Sequence, residues 1–155
     1  MSNKTDNLSL SYYEVKTVMA RILENGMLAE VKETYIVKAY TCTEVEARII
    51  EELAPFDVNG TLRITGIAKT KISEVLRDYE DGPYYRVKAI LTTVDETSGA
   101  EKKRPYFYLV KAPDFATAHT EFEQFIVKSI GDWSIHTIQE TAIVGVYERD
   151  EDKQA

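Results

Sequence analysis

Three segments in the first half of this chain recur in the second half, in the same order and at nearly constant spacing. Tyr12-Tyr13-Glu14-Val15-Lys16 returns as Tyr84-Tyr85-Arg86-Val87-Lys88, 72 positions later. Tyr35-Ile36-Val37-Lys38-Ala39 returns as Tyr108-Leu109-Val110-Lys111-Ala112, 73 positions later. The spaced set Ile64, Ile67, Thr70, Ile72 and Val75 returns as Ile135, Ile138, Thr141, Ile143 and Val146, 71 positions later. Self-similarity at a fixed period restricts a chain to architectures built by repeating one supersecondary unit. Either half alone would have a marginal core, because small chains bury a small share of their surface. The expectation is a single domain over 11–150 made of two repeats, 11–80 and 83–150, with flexible tails at 1–10 and 151–155.

Each copy reads strand, strand, helix, strand. The segments at about 11–23 and 84–94 are rich in Tyr, Val, Ile and Thr, as strands are. Second strands at about 33–40 and 104–112 follow polar connections carrying Asn25-Gly26 and Asp95-Glu96-Thr97-Ser98-Gly99, which read as hairpin loops. Thr43 and Glu46 stand at capping-box spacing, and Val45, Ile49, Ile50 and Leu53 follow at helical spacing until Pro55. A helix over 43–54 follows from that pattern. Its counterpart starts at Asp114 and carries Phe115, Ala118, Phe122, Phe125 and Ile126 on one stripe toward 128. The closing strands, 61–75 and 134–148, are expected to be interrupted. Their isoleucines lie three apart, at Ile64/Ile67 and Ile135/Ile138, which breaks strict alternation and points to a bulge. The fold class expected is α+β: a tandem pseudo-twofold ββαβ repeat, mainly antiparallel sheet of about six strands, with two helices on one face.

The residues also resemble a known family. The run Tyr35-Ile-Val-Lys-Ala, the segment Thr43-Glu-Val-Glu-Ala-Arg-Ile-Ile-Glu-Glu, the stretch Asp95-Glu-Thr-Ser-Gly-Ala-Glu-Lys-Lys and the late Ile138-Gln-Glu-Thr are similar to DUF4494, a family of uncharacterised proteins. The resemblance extends from about 12 to 147 and implies a source in Bacteroidetes or their phages. It implies no activity that could be carried to particular residues.

The sequence gives catalysis little to work with. His119 and His136 have no neighbouring Cys, Ser or Asp motif marking a nucleophile, and no phosphate-binding loop, dinucleotide fingerprint or metal-spaced cluster occurs. Cys42 takes the place that Phe115 fills in the second repeat, so it reads as a small apolar filler rather than a reactive thiol. As the only cysteine it also excludes an intrachain disulfide. A non-enzymatic protein without cofactor or metal is the expectation. The polar start of the chain and the lack of a long apolar run point to a cytoplasmic protein without a membrane partner.

The strand faces carry the functional reading. Alternation puts Tyr13, Val15, Tyr85, Val87, Ala89, Leu91, Tyr35, Val37, Ala39, Tyr108, Val110 and Ala112 against the helices. The opposite rows hold Tyr12, Glu14, Lys16, Ile36 and Lys38 in the first copy, and Tyr84, Arg86, Lys88, Ile90, Phe107, Leu109 and Lys111 in the second. Those rows hold five cations against one acid, in a protein whose formal net charge is -7. A face mixing aromatic rings with Lys and Arg suits single-stranded DNA or RNA, since bases stack on rings while cations follow phosphates. Stacking is therefore expected from Tyr12, Tyr84 and Phe107, and phosphate contact from Lys16, Lys38, Arg86, Lys88 and Lys111. The alternative left open is a protein-interaction or structural adaptor that buries the same face in a homodimer.

Overall fold

The computed structural model describes residues 9–149, so the tails expected at 1–10 and 151–155 lie almost wholly outside the described residues. The chain forms two compact units. The first holds the described residues up to Thr70 together with those from Ile143 onward, and the second is Lys71–Ala142.

In the first unit, β1 (Ser11–Ile22) and β2 (Leu28–Ala39) form an antiparallel hairpin in continuous register, from Ser11 opposite Ala39 to Ile22 opposite Leu28. The turn closes because Gly26 takes a φ of 82°, open to glycine without steric cost, while Asn25 Oδ1 accepts from the Met27 N–H at 3.0 Å. Helix α1 (Cys42–Leu53) begins one residue earlier than the 43–54 expected, and its cap lies two residues earlier than Thr43. Its cap is Thr41, whose hydroxyl accepts from the Glu44 N–H at 3.2 Å, while the Glu44 carboxylate accepts from the Tyr40 N–H at 3.1 Å. The capping spacing expected at Thr43 and Glu46 is thus met by Thr41 and Glu44, which satisfy the otherwise unpaired N–H groups of the first turn. Val45, Ile49 and Leu53 recur every fourth residue and are buried against Tyr13, Val15, Tyr35, Val37 and Ala39. A short 3-10 turn, Ala54–Phe56, ends the helix at Pro55.

Strand β3 (Arg63–Lys69) returns antiparallel to β1 with one irregularity. Ile67 faces Val15 and Ile64 faces Thr17, so one residue is extra on β3. That bulge lets both isoleucines, three apart in sequence, pack on the helix-facing core. The same device recurs in the second unit, where Ile138 faces Val87, Ile135 faces Ala89, and both pack on the core.

The closing segments do not each complete their own sheet. The strand after Thr70, β4 (Ile72–Leu76), belongs to the second unit and runs parallel to β6. There, β5 (Tyr84–Val94) and β6 (Glu101–Lys111) form the hairpin, α2 (Phe115–Ile126) follows from an Asp114 cap, and β7 (Asp132–Glu140) pairs with β5. The last strand, β8 (Ile143–Tyr147), lies parallel to β2 in the first unit. The chain exchanges units after matched anchors. Thr70 donates from its N–H and its hydroxyl to the Tyr12 carbonyl, at 2.9 and 2.6 Å, and Thr141 does the same to the Tyr84 carbonyl, at 2.9 and 2.7 Å.

The class is therefore α+β, with two helices and two mostly antiparallel four-stranded sheets ordered β3-β1-β2-β8 and β4-β6-β5-β7. The six strands expected become eight because each closing segment is two strands serving two sheets. The order of elements and the hairpin register match between units: Tyr35 faces Val15 as Tyr108 faces Val87. Each sheet packs one helix on one face. The second core is Tyr85, Val87, Ala89, Tyr108, Val110 and Ala112 against Ala118, Phe122 and Ile126. No described helix is long and apolar enough to cross a membrane.

Candidate nucleic-acid interface

The register confirms that the residues singled out from alternation share the faces opposite the helices. Tyr12 faces Lys38, Tyr84 faces Lys111, Arg86 faces Leu109 and Lys88 faces Phe107 across the two hairpins. The face is not uniformly open. Tyr12 and Tyr84 are each only 4 % exposed, and their neighbours Ile36 and Leu109 are buried as well. The Tyr12 hydroxyl donates to a Glu148 carboxylate oxygen at 2.9 Å, and Lys38 Nζ lies 5.3 Å from its ring centroid. Lys111 Nζ lies 5.4 Å from the Tyr84 ring in the same way. Neither tyrosine offers a free ring face for a base, and neither can serve as a homodimer contact. Lys38 and Lys111 are half-buried above those rings, drawn there by the negative face of the π system.

Three of the expected residues stay together on accessible surface in the second unit. Arg86 is exposed, Lys88 and Phe107 are half-buried, and the Arg86 guanidinium lies 5.5 Å from the Phe107 ring centroid. Lys16 is exposed on β1 of the first unit.

The outer half of the β5–β6 hairpin adds a group that the sequence reading passed over. Helix α2 has 12 residues and spans about 18 Å at 1.5 Å per residue. The 11-residue strands beneath it run about 37 Å at 3.4 Å per residue. The helix therefore covers about half of the sheet, and side chains on its side of the outer half are left in contact with solvent. They are Tyr106, Trp133, Arg104 and Lys102. Leu91 faces Arg104 on one side and Trp133 on the other, so cation, aliphatic side chain and indole form one row across three strands. Tyr106 and Trp133 are half-buried, with ring centroids 5.2 Å apart, and the indole N–H donates to the Ile130 carbonyl at 3.3 Å, which holds the ring in place. Beside them lies a depression of about 420 Å³ lined by Leu91, Thr93, Lys102, Lys103, Arg104, Pro105 and Tyr106.

The electrostatics of this hairpin differ from those of its counterpart. In the first unit Arg21 pairs with Glu33, Arg48 with Glu52 at 2.9 Å, and Arg63 with Glu30 at 3.0 Å. Among the described residues no carboxylate pairs with Arg86, Lys88, Lys102, Lys103 or Arg104, although acids such as Glu101 and Asp132 stand near the end of the ribbon. Five uncompensated cations thus lie along two neighbouring strands. The loop at the tip is fixed by Asp95, whose Oδ1 accepts from the Thr97 N–H at 2.8 Å. That backbone hydrogen bond, with a second from Ser98, holds the carboxyl below its ordinary range. The signals visible in the sequence were the Lys102-Lys103-Arg104 run and the single tryptophan. What concealed them was the reach of the helix, which alternation does not report.

A family model for DUF4494, a domain of unknown function, matches residues 11–149. No curated protein and no solved structure matches the chain.

Proposed function

The chain belongs to the DUF4494 family, and from its own side chains we propose that it binds single-stranded nucleic acid through the β5–β6 hairpin. The observation that carries this reading is the row of Lys102, Arg104, Tyr106 and Trp133 left uncovered on the helix side of the sheet, with Arg86, Lys88, Lys103 and Phe107 on the opposite face, five cations in all that no carboxylate pairs among the described residues. Cations without internal partners keep their full attraction for phosphates, and binding releases the counterions condensed on the strand. Rings set between them meet bases only where those bases are unstacked from a duplex, and such stacking tolerates any sequence. The helices carry their acids elsewhere, at Glu44, Glu46, Glu51 and Glu52 on α1 and Glu121 and Glu123 on α2.

Phosphate contact falls to the five cations and stacking to Tyr106, Trp133 and Phe107, while Tyr12, Tyr84, Lys38 and Lys111 take structural places. The role is one of binding without a chemical step, set in the cytoplasm. Fluorescence anisotropy with labelled single-stranded DNA, single-stranded RNA and duplex DNA at low salt tests it. Binding of a single strand in preference to duplex, with the strand recovered intact after long incubation, is the expected result. No retention of either single strand at low salt, where the electrostatic attraction is largest, would overturn the proposal.

A further inference from the structure

The two hairpins differ at their outer edges. Strand β8 covers only Thr34–Val37 of β2, so among the described residues no strand pairs with the outward side of 28–33. The matching edge of β6 is likewise uncovered before Phe107, but it is guarded by Lys102, Lys103, Arg104 and Pro105. Charge and proline are the usual means of preventing edge-to-edge pairing. The β2 segment, Leu28-Ala29-Glu30-Val31-Lys32-Glu33, has no proline, and its opposite charges flank Val31.

We propose that this edge pairs with the same edge of a second copy of the chain, making a twofold dimer through a continuous β-sheet. A twofold axis between antiparallel strands stands normal to the sheet, so a residue meets a partner residue of the same parity and both faces are preserved. Centring the axis on Glu30 or Lys32 sets like charges directly opposite, which is unfavourable. Centring it on Val31 sets Glu30 opposite the partner's Lys32 and Lys32 opposite the partner's Glu30. Lys32 has no carboxylate partner among the described residues, whereas Glu30 is held on its own chain only by exposed Arg63. The same placement carries each hairpin end toward the start of β8 in the other copy. Pairing between the copies then runs over 29–33, and Leu28, 61 % exposed, comes against the start of β8 in the other copy. The exposed apolar hairpin end, Ile22, Met27 and Leu28, gains cover in this arrangement.

Sedimentation velocity over a dilution series measures the dimer directly. The wild-type chain is expected to sediment at twice the mass of one chain, while Glu30→Lys and Lys32→Glu are each expected to sediment as folded monomers. An equimolar mixture of the two variants should restore a dimer containing one of each, because one copy then presents two cations and the other two acids. Hydrogen exchange on the wild type supplies a measurement independent of mutation: amides within 28–33 should exchange more slowly as concentration rises. A wild-type monomer at the highest soluble concentration would overturn the proposal. So would variants that dimerise like the wild type, a mixture of monomeric variants that does not associate, or exchange at 28–33 that ignores concentration. None of these outcomes depends on nucleic acid.

Discussion

If Arg86, Lys88, Lys102, Lys103 and Arg104 each neutralise one phosphate of a single strand, the salt dependence of binding follows from their number. Each contact contributes about 0.7 to the slope of log K against log salt, so five give a slope near about -3.5. Raising salt fourfold, from about 50 to about 200 mM, should then weaken binding by roughly 100-fold. Lys103 is exposed and has no ion-pair partner among the described residues, so Lys103→Ala should leave the fold intact and bring the slope to about -2.8. Trp133→Leu should behave differently, because it keeps apolar contact with Leu91 and Tyr106 but removes the indole. Loss of one stacking ring costs about 1 to 3 kcal/mol, roughly 5- to 150-fold in affinity, and releases few ions, so its slope should stay near that of the wild type. Anisotropy titrations at five or more salt concentrations, with circular dichroism to confirm folding, separate the two classes. A wild-type slope near zero, or a Lys103→Ala slope equal to the wild type, would refute the assignment of these cations to phosphates.

Phe122 is wholly buried between Tyr108 and Phe125, so Phe122→Ala should lower unfolding free energy by about 3 to 5 kcal/mol in urea melts. Gly82 has a φ of 106°, and a Cβ there would collide with the Ala112 carbonyl, whose backbone cannot move aside. Gly82→Ala should therefore cost at least about 2 kcal/mol, read as a drop in melting temperature. Tyr35 is pushed up from 10.0 to about 12, chiefly by burial and then by the charge and hydrogen bond of Glu33. Its folded pKa lies above the unfolded one, so its stabilisation is complete below pH 10 and is lost as pH climbs toward 12. Chemical denaturation of Tyr35→Phe across this window should show a smaller alkaline loss of stability, by on the order of 1 to 3 kcal/mol.

Local chemistry made much of the fold legible. The helix stripes at Val45, Ile49 and Leu53 and at Ala118, Phe122 and Ile126, and the bulges under Ile64/Ile67 and Ile135/Ile138, all follow from spacing within one element. Alternation also assigned Tyr12, Lys38, Tyr84, Arg86, Lys88, Phe107 and Lys111 to the faces they occupy. Spacing within an element says which side chains share a face, because backbone geometry alone sets the period.

Whether a face is covered is decided by other elements, and only the tertiary structure supplied that. It buried Tyr12 and Tyr84 while leaving Arg86 and Phe107 accessible, although all four alternate identically along their strands. It left Tyr106 and Trp133 beyond the end of a helix about half the length of the strands it covers. It also sent β4 and β8 to sheets other than those their repeats began, because strand pairing joins residues far apart in sequence, and no local pattern in 72–76 or 143–147 names the strand it will lie beside.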